Sequence, residues 1–269
     1  MKLQFALVNG MKRKPWKGGT GTCPCCGSEL IAKCGEVKIH HWAHKSHRQC
    51  DTWWENQTDW HRQWKSAFSG EWQEIPLTDN QSGEKHIADV RTAHGLVIEF
   101  QHSHIDPKER TARERFYRNM IWVVDGTRLK FDYTRFLRGR ENFRKTTNKG
   151  IYLLSCLEEC FPTEWLSSSV PVVFDFKGNE SVSDVSDARN SLYCLFPKPI
   201  GGNMIIVCMS HDFLVRAATN GQWSKLIDNL NSFQEVEQGR LDLQRRERDK
   251  AAYDLFVRRT RSRYRGPRF

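Results

Sequence analysis

The sequence predicts a mixed α/β (α+β) fold with a small N-terminal metal-binding module and a basic helical tail. Three observations carry that prediction. Five of the nine cysteines lie between Cys23 and Cys50, interleaved with His40, His41, His44 and His47. A period-two segment from Ile87 to Gln101 precedes a capped helical segment and a short apolar run ending at Asp125. Residues 240–269 hold 11 Lys+Arg against 4 Asp+Glu, whereas residues 1–239 hold 31 against 28.

Taken in order, residues 1–50 read as short strands around a zinc knuckle, starting with the strand-like Leu3–Val8. In Cys23-Pro-Cys25-Cys26-Gly27 the pair Cys23 and Cys26 has Cys-x-x-Cys spacing, and the glycine permits a tight turn over a metal. The second ligand pair is His41 with His44, or His44 with Cys50. Zinc takes four such ligands in a closed, structural shell. Trp53 to Phe68 reads as a helix, because Trp53, Gln57, Trp60, Trp64 and Phe68 recur on one face. Ile87–Thr92 and Leu96–Gln101 then form a hairpin whose loop, Ala93-His94-Gly95, ends in the glycine that a left-handed position favours. Asp106 caps a helix with Pro107 in its first turn, running to about Asn119. Ile121–Asp125 is a buried strand, and strand, helix and strand make a parallel βαβ unit. Further strands are expected at Val170–Phe176 and Asn203–Met209, Cys156 and Cys160 on a helix, and a charged helix from Gln234 into the terminal arginines.

The hairpin register places chemistry. With the three-residue loop, Thr92 pairs with Leu96, so Asp89 falls opposite Glu99, and Gln101 shares the face of Glu99. Two carboxylates that close in an apolar sheet need a cation or a shared proton, and an oxygen-rich pair suits Mg2+. A register slip of one residue would instead leave one acid in solvent. The arginine run from Arg258 reads as an arm for a polyanion, or as a solvated tail.

Composition excludes other classes. Hydrophobic residues make up 38% and aromatics 12%, a globular balance. The longest apolar run, Met204–Met209, falls far short of the roughly 18–20 residues of a membrane span. Met1–Val8 is too short for a secretory signal. The odd cysteine count without an export signal points to the reducing cytoplasm.

The combined motifs resemble the competence protein CoiA-like family, within the PD-(D/E)XK (restriction-endonuclease-like) nuclease superfamily. The matching stretches are Cys23–Gly27, His41-Trp-Ala-His44, Thr58–Lys65, Ile87–Arg91, Val97–Ser103, and Glu109 through Arg113 and Tyr117 to Val124. The resemblance implies a nuclease core behind a zinc-ribbon-like module, acting on DNA with Mg2+ or Mn2+. It makes Asp89 and Glu99 the metal-binding acids and puts Gln101 in place of the motif lysine. His61 and Lys65 match a helical pair for phosphate contact or proton transfer, and Arg110, Arg113 and Tyr117 match a face turned to nucleic acid. The family's helical Glu is replaced here by Gln57, and neither Glu55 nor Asp59 lies on the right helical face to substitute.

The expected organisation is a zinc module at 1–50, a nuclease-like core at 51–130, an α/β extension at 131–235 and a basic tail at 236–269. The leading expectation is a cytoplasmic DNA nuclease in which Asp89 and Glu99 set cleavage. Arg258, Arg259, Arg261 and Arg263 would then contribute affinity. The rivals are a DNA-binding module that no longer cuts, and a subunit whose zinc unit and tail dock protein partners or a second copy.

Overall fold

The computed structural model describes residues 2–36, 39–46, 50–54 and 57–263, with side chains to residue 259. Five short strands form an antiparallel N-terminal sheet in the order β2-β1-β3-β4-β5. They are β1 (Ala6–Val8), β2 (Met11–Arg13), β3 (Thr20–Thr22), β4 (Glu29–Lys33) and β5 (His41–His44). Its core is small: Leu3, Ala6, Leu30 and Trp42 are buried together with Cys23 and Cys25.

The rest of the chain builds one nine-stranded sheet. Its strands are β6 (Gln73–Thr78), β7 (Lys85–Arg91), β8 (Val97–Gln101), β9 (Met120–Asp125), β10 (Arg144–Lys145), β11 (Ile151–Leu154), β12 (Val172–Asp175), β13 (Leu192–Ile200) and β14 (Asn203–Met209). Their order is β10-β11-β14-β13-β12-β9-β8-β7-β6. β9 runs parallel to both neighbours, and all six of its residues are buried. That is why Met-Ile-Trp-Val-Val reads as an uninterrupted apolar run rather than an alternating one. Residue 130 lies between β9 and β10, and residues 131–235 contribute β10 to β14 to this continuous sheet.

Helices cover both faces. α1 (Asp59–Ser66) lays Trp60 and Trp64 on one face, where α4 (His211–Thr219) and the first turns of α5 (Gln222–Arg263) add Leu214, Trp223 and Leu230. α2 (Pro107–Tyr117) and α3 (Asp132–Arg140) cover the other. Asp106 caps α2 as expected, its carboxylate accepting from Lys108 N at 2.8 Å. The hairpin loop is also as expected, with Gly95 at φ +78°.

Three expectations are corrected. α1 begins at Asp59, behind the N-cap Thr58, so Trp53 and Gln57 precede the helix. Position 55 therefore precedes α1, and Glu55 lies outside the described residues. Cys156 and Cys160 flank a single 3-10 turn, with only Cys160 buried. The terminal helix starts at Gln222, a dozen residues before the charge pattern suggested, because its first turns are held by apolar packing. At 42 residues it spans about 63 Å, and beyond Leu241 almost every described side chain is exposed.

Candidate functional site

Two constellations stand out, and Asp51 joins them. In the first, Cys23, Cys26, His44 and Cys50 bring their ligand atoms within 4.8 Å of one another. Gly27, at φ +70°, closes the knuckle, with its N–H on Cys23 O at 2.9 Å. Tetrahedral zinc–sulfur bonds of about 2.3 Å set two sulfurs about 3.8 Å apart. The Cys23 and Cys50 sulfurs are 3.7 Å apart, and Cys26 Sγ lies 3.4 Å from His44 Nε2. The donor set and spacing therefore fit zinc. Hydrogen bonding to Cys50, together with burial, holds the Cys23 thiol well above its usual range without metal, so zinc uptake releases protons. The structure selects His44 with Cys50 as the second pair. His41 is excluded: its Nδ1 is 2.8 Å from Ile39 O, and it takes no place in the cluster.

The second constellation is a small pocket of about 40 Å³ where Asp89, Glu99 and Glu74 meet Lys65, Arg113 and Tyr117. The hairpin has the register read from the sequence, with Val90 opposite Ile98 and Arg91 opposite Val97. Past Val90 the regular ladder stops and side chains take over its amides. Phe100 N donates to Asp89 Oδ2 and Asp89 N to Glu99 Oε1, both at 3.1 Å.

Glu74 is the residue that sequence reasoning missed. It sits in β6 at φ +49°, a left-handed backbone that costs a non-glycine residue of order 1–3 kcal/mol. The β6–β7 pairing runs from Gln73–Val90 to Ile75–Ala88 and skips Glu74, which the register would set against Asp89. Its buried carboxylate accepts from Gln4 N, Phe5 N, Gln57 Nε2 and Lys65 Nζ. The only signal in the sequence is an acid inside the strand-like Gln73–Thr78, just upstream of the hairpin.

Lys65 Nζ lies 3.0 Å from Glu74 and 3.3 Å from Asp89, fully buried. Burial alone would lower its pKa, but the charges of Glu74 and then Asp89 outweigh burial and hold the ammonium above its ordinary value. Glu99 behaves oppositely. Burial, then the charge of Asp89, pushes its carboxyl up to about 8, against the pull of Arg113 at 3.2 Å. Between its ordinary 4.5 and that value the folded state binds a proton the unfolded chain has lost, so this group lowers stability as pH rises. Urea unfolding from pH 5 to 8 should therefore show a less negative slope in metal-free Glu99→Gln than in wild type. Equal slopes would refute it.

Other expected site residues are distributed differently. His61 lines the pocket, but both ring nitrogens are engaged: Nε2 donates to Phe100 O, and Nδ1 lies 3.3 Å from Thr58 Oγ1. It fastens α1 to β8 and does not reach for phosphate. Gln101 places its Nε2 on Ser103, and the cations beside the acids are Lys65, on Glu74 and Asp89, and Arg113, on Glu99. Arg110 is buried against Glu114 and Ser167 and faces no groove. Arg113 and Tyr117 do line the pocket. Arg258 and Arg259 are exposed on α5; Arg261 and Arg263 continue that helix, but their side chains lie outside the described ones.

Asp51 follows the cluster residue Cys50 directly. It accepts from Ile87 N and His86 Nδ1, each at 2.8 Å, and lines the acid pocket. The residue next to cluster member Cys50 is thus stapled to the first half of β7, the strand that carries Asp89.

The class defined by this fold and these sites is a mixed α/β protein with an N-terminal Cys3His module beside an acid-lined pocket. Residues 11–52 match the family model for the competence protein CoiA, N-terminal domain, which supports a relationship to that family. No curated protein and no solved structure matches the chain. Among the described residues no helix is long and apolar enough to cross a membrane.

Proposed function

We propose that the protein is a metal-dependent nuclease that hydrolyses phosphodiester bonds in DNA, with its reaction centre in the acid pocket. The observation that carries this reading is the convergence of three carboxylates, the buried Glu74 and Glu99 and the partly exposed Asp89, around a void large enough for an ion and a water. The order α1, β6-β7-β8, α2, β9 resembles the restriction-endonuclease-like core, with Asp89 and Glu99 on its hairpin.

The donor set suits Mg2+ or Mn2+: it is all oxygen, and burial and then the charge of Asp89 raise the pKa of Glu99, a penalty that a cation between the two acids would relieve. Asp89, Glu99 and Glu74 would hold the cation, which when bound polarises the scissile phosphate and activates water. The chain's own groups do the rest. Lys65 neutralises Asp89 and Glu74 and presents a fixed ammonium to a phosphate oxygen. Arg113 orients Glu99 while its own head is held by Glu109 and Trp53 O. Gln57 donates to Glu74 at 2.9 Å, so an amide suits position 57 once the third acid stands at 74.

Purified protein with Mg2+ or Mn2+ is expected to cut DNA. Asp89→Ala should lower the rate by two orders of magnitude or more, since several kcal/mol are at stake at about 1.4 kcal/mol per tenfold. Gln57→Glu should not raise the rate, because it sets two carboxylates in contact. No cutting of DNA under either metal would end the reading.

A second reading, a DNA-binding module that does not cut, is favoured by one observation: Lys65 and Arg113 already pair with all three acids. Salt-dependent DNA binding retained in Asp89→Ala, with no wild-type cleavage, would select it.

A further inference from the structure

The acid pocket, at about 40 Å³, is too small for a nucleotide. Two of its walls, Leu3 and Gln57, also line a neighbouring cleft of about 500 Å³. That cleft runs between the metal-binding module and α1. The module contributes Lys2, Lys14 and residues 39–41, and the other wall is Gln57 with Arg62. Among the described residues no carboxylate lines it. Its charge comes from Lys2, Lys14 and Arg62, with His40 and His41 beside them. Arg62 holds its guanidinium by an ion pair with Asp59, whose side chain is 76% exposed, so the pair can exchange for a phosphate.

We propose that this cleft is the seat of a single DNA strand, and that it delivers a phosphodiester past Leu3 and Gln57 to the three acids. The proposal rests on the nuclease reading for what happens in the acid pocket, but not for the binding. Three observations point to a single strand. The volume falls in the range of about 300–1,000 Å³ that encloses a molecule of one or two nucleotides, not a duplex. Among the described residues the lining is cationic and acid-free, as suits a track for a phosphate backbone. Trp16 follows the lining residue Pro15; its indole meets Trp42 edge-to-face at 5.4 Å between centroids, yet the residue is 46% exposed, which leaves ring surface for a base. The basic residues of this cleft come from the module and α1, so the proposal gives the module a second task. It forms one wall of the substrate path as well as holding metal.

The test uses the full-length, zinc-loaded protein and a fluorescein-labelled dT20 strand, read by anisotropy across a salt titration. Lys14→Glu combined with Arg62→Glu should weaken binding on the order of tenfold and lower the salt slope by roughly 0.7 for each phosphate no longer neutralised. Zinc content and Tm should stay as in wild type, which separates weakened phosphate binding from a damaged fold. Because the arginines of α5 add affinity of their own, a photo-crosslinking dT20 strand supplies a second measurement. Cross-linked peptides from residues 2–4, 14–16 or 39–41 support the cleft, whereas cross-links confined to α5 overturn it. Unchanged affinity and salt slope in the double variant also overturn it. Tighter binding of duplex than of dT20, with the same weakening in the variant, refutes the single-strand assignment. Binding that depends on Lys14 and Arg62 without any metal-dependent cutting leaves the cleft standing and defeats the nuclease reading instead.

Discussion

Stripping the metal from the Cys23–Cys26–His44–Cys50 cluster, or replacing Cys50 by Ser, is expected to unfold the N-terminal sheet and loosen the acid pocket together. The module buries few apolar side chains, chiefly Leu3, Ala6, Leu30 and Trp42, around strands of three to five residues. A unit that small seldom folds on its core alone, and structural zinc supplies about 10–16 kcal/mol in isolated finger peptides. Asp51 makes the effect travel. Its carboxylate holds Ile87 N and His86 only while Cys50 fixes the chain beside it. Two further links, Gln4 N and Phe5 N on Glu74, tie the module's first segment to the pocket. A strong chelator should therefore release one zinc per chain, lower Tm and cut off any DNA cleavage at the same time. Cys34→Ser should leave zinc content unchanged, since Cys34 is not in the cluster. A chelated protein with unchanged Tm would sink this account.

Glu74→Ala should destabilise the protein by about 3–5 kcal/mol, the range for removing one partner of a buried ion pair. The substitution strands the Lys65 ammonium with Asp89 alone and leaves the Gln4 and Phe5 amides without their acceptor. Removing the left-handed strain at residue 74 does not offset it, because alanine suffers the same strain at φ +49°. Glu74→Gln keeps an acceptor for the amides and removes only the charge, so it should cost less. Lys65→Met should cost less in the Glu74→Ala background than in wild type, as coupled partners do. Urea denaturation of wild type and these four variants measures all of this. A cost below about 1 kcal/mol for Glu74→Ala would show that the carboxylate is not the pocket's keystone.

Several parts of this structure are legible in the sequence. The hairpin register followed from a three-residue loop ending in glycine, and it put Asp89 and Glu99 together. The α2 cap followed from Asp106-Pro107, and the buried parallel strand from Ile121–Val124. The edge strand β10, its neighbour β11 and the interior strand β13 were not readable. β10 is two residues long, and β13 carries Pro197 and Pro199 in its own second half. Helical periodicity also overran α1, because Trp53 and Gln57 keep the spacing of a helix without being in one. Trp53 instead stacks on His86, ring centroids 3.2 Å apart.

The sequence by itself determined the local chemistry: which strand faces carry acids, where the metal knuckle turns, and that the positive charge is concentrated in the last thirty residues. Only the tertiary structure decided which groups act together. His44 joins Cys50 and not His41 because β5 turns His41 away. Glu74 meets Gln57 and Lys65 because a left-handed residue in β6 swings its carboxylate toward them. Arg110 and Arg113 lie on one helix, yet one is held by Glu114 and the other by Glu99. Periodicity and turn residues encode each segment's own backbone, whereas these pairings are set by the packing of segments remote in the chain.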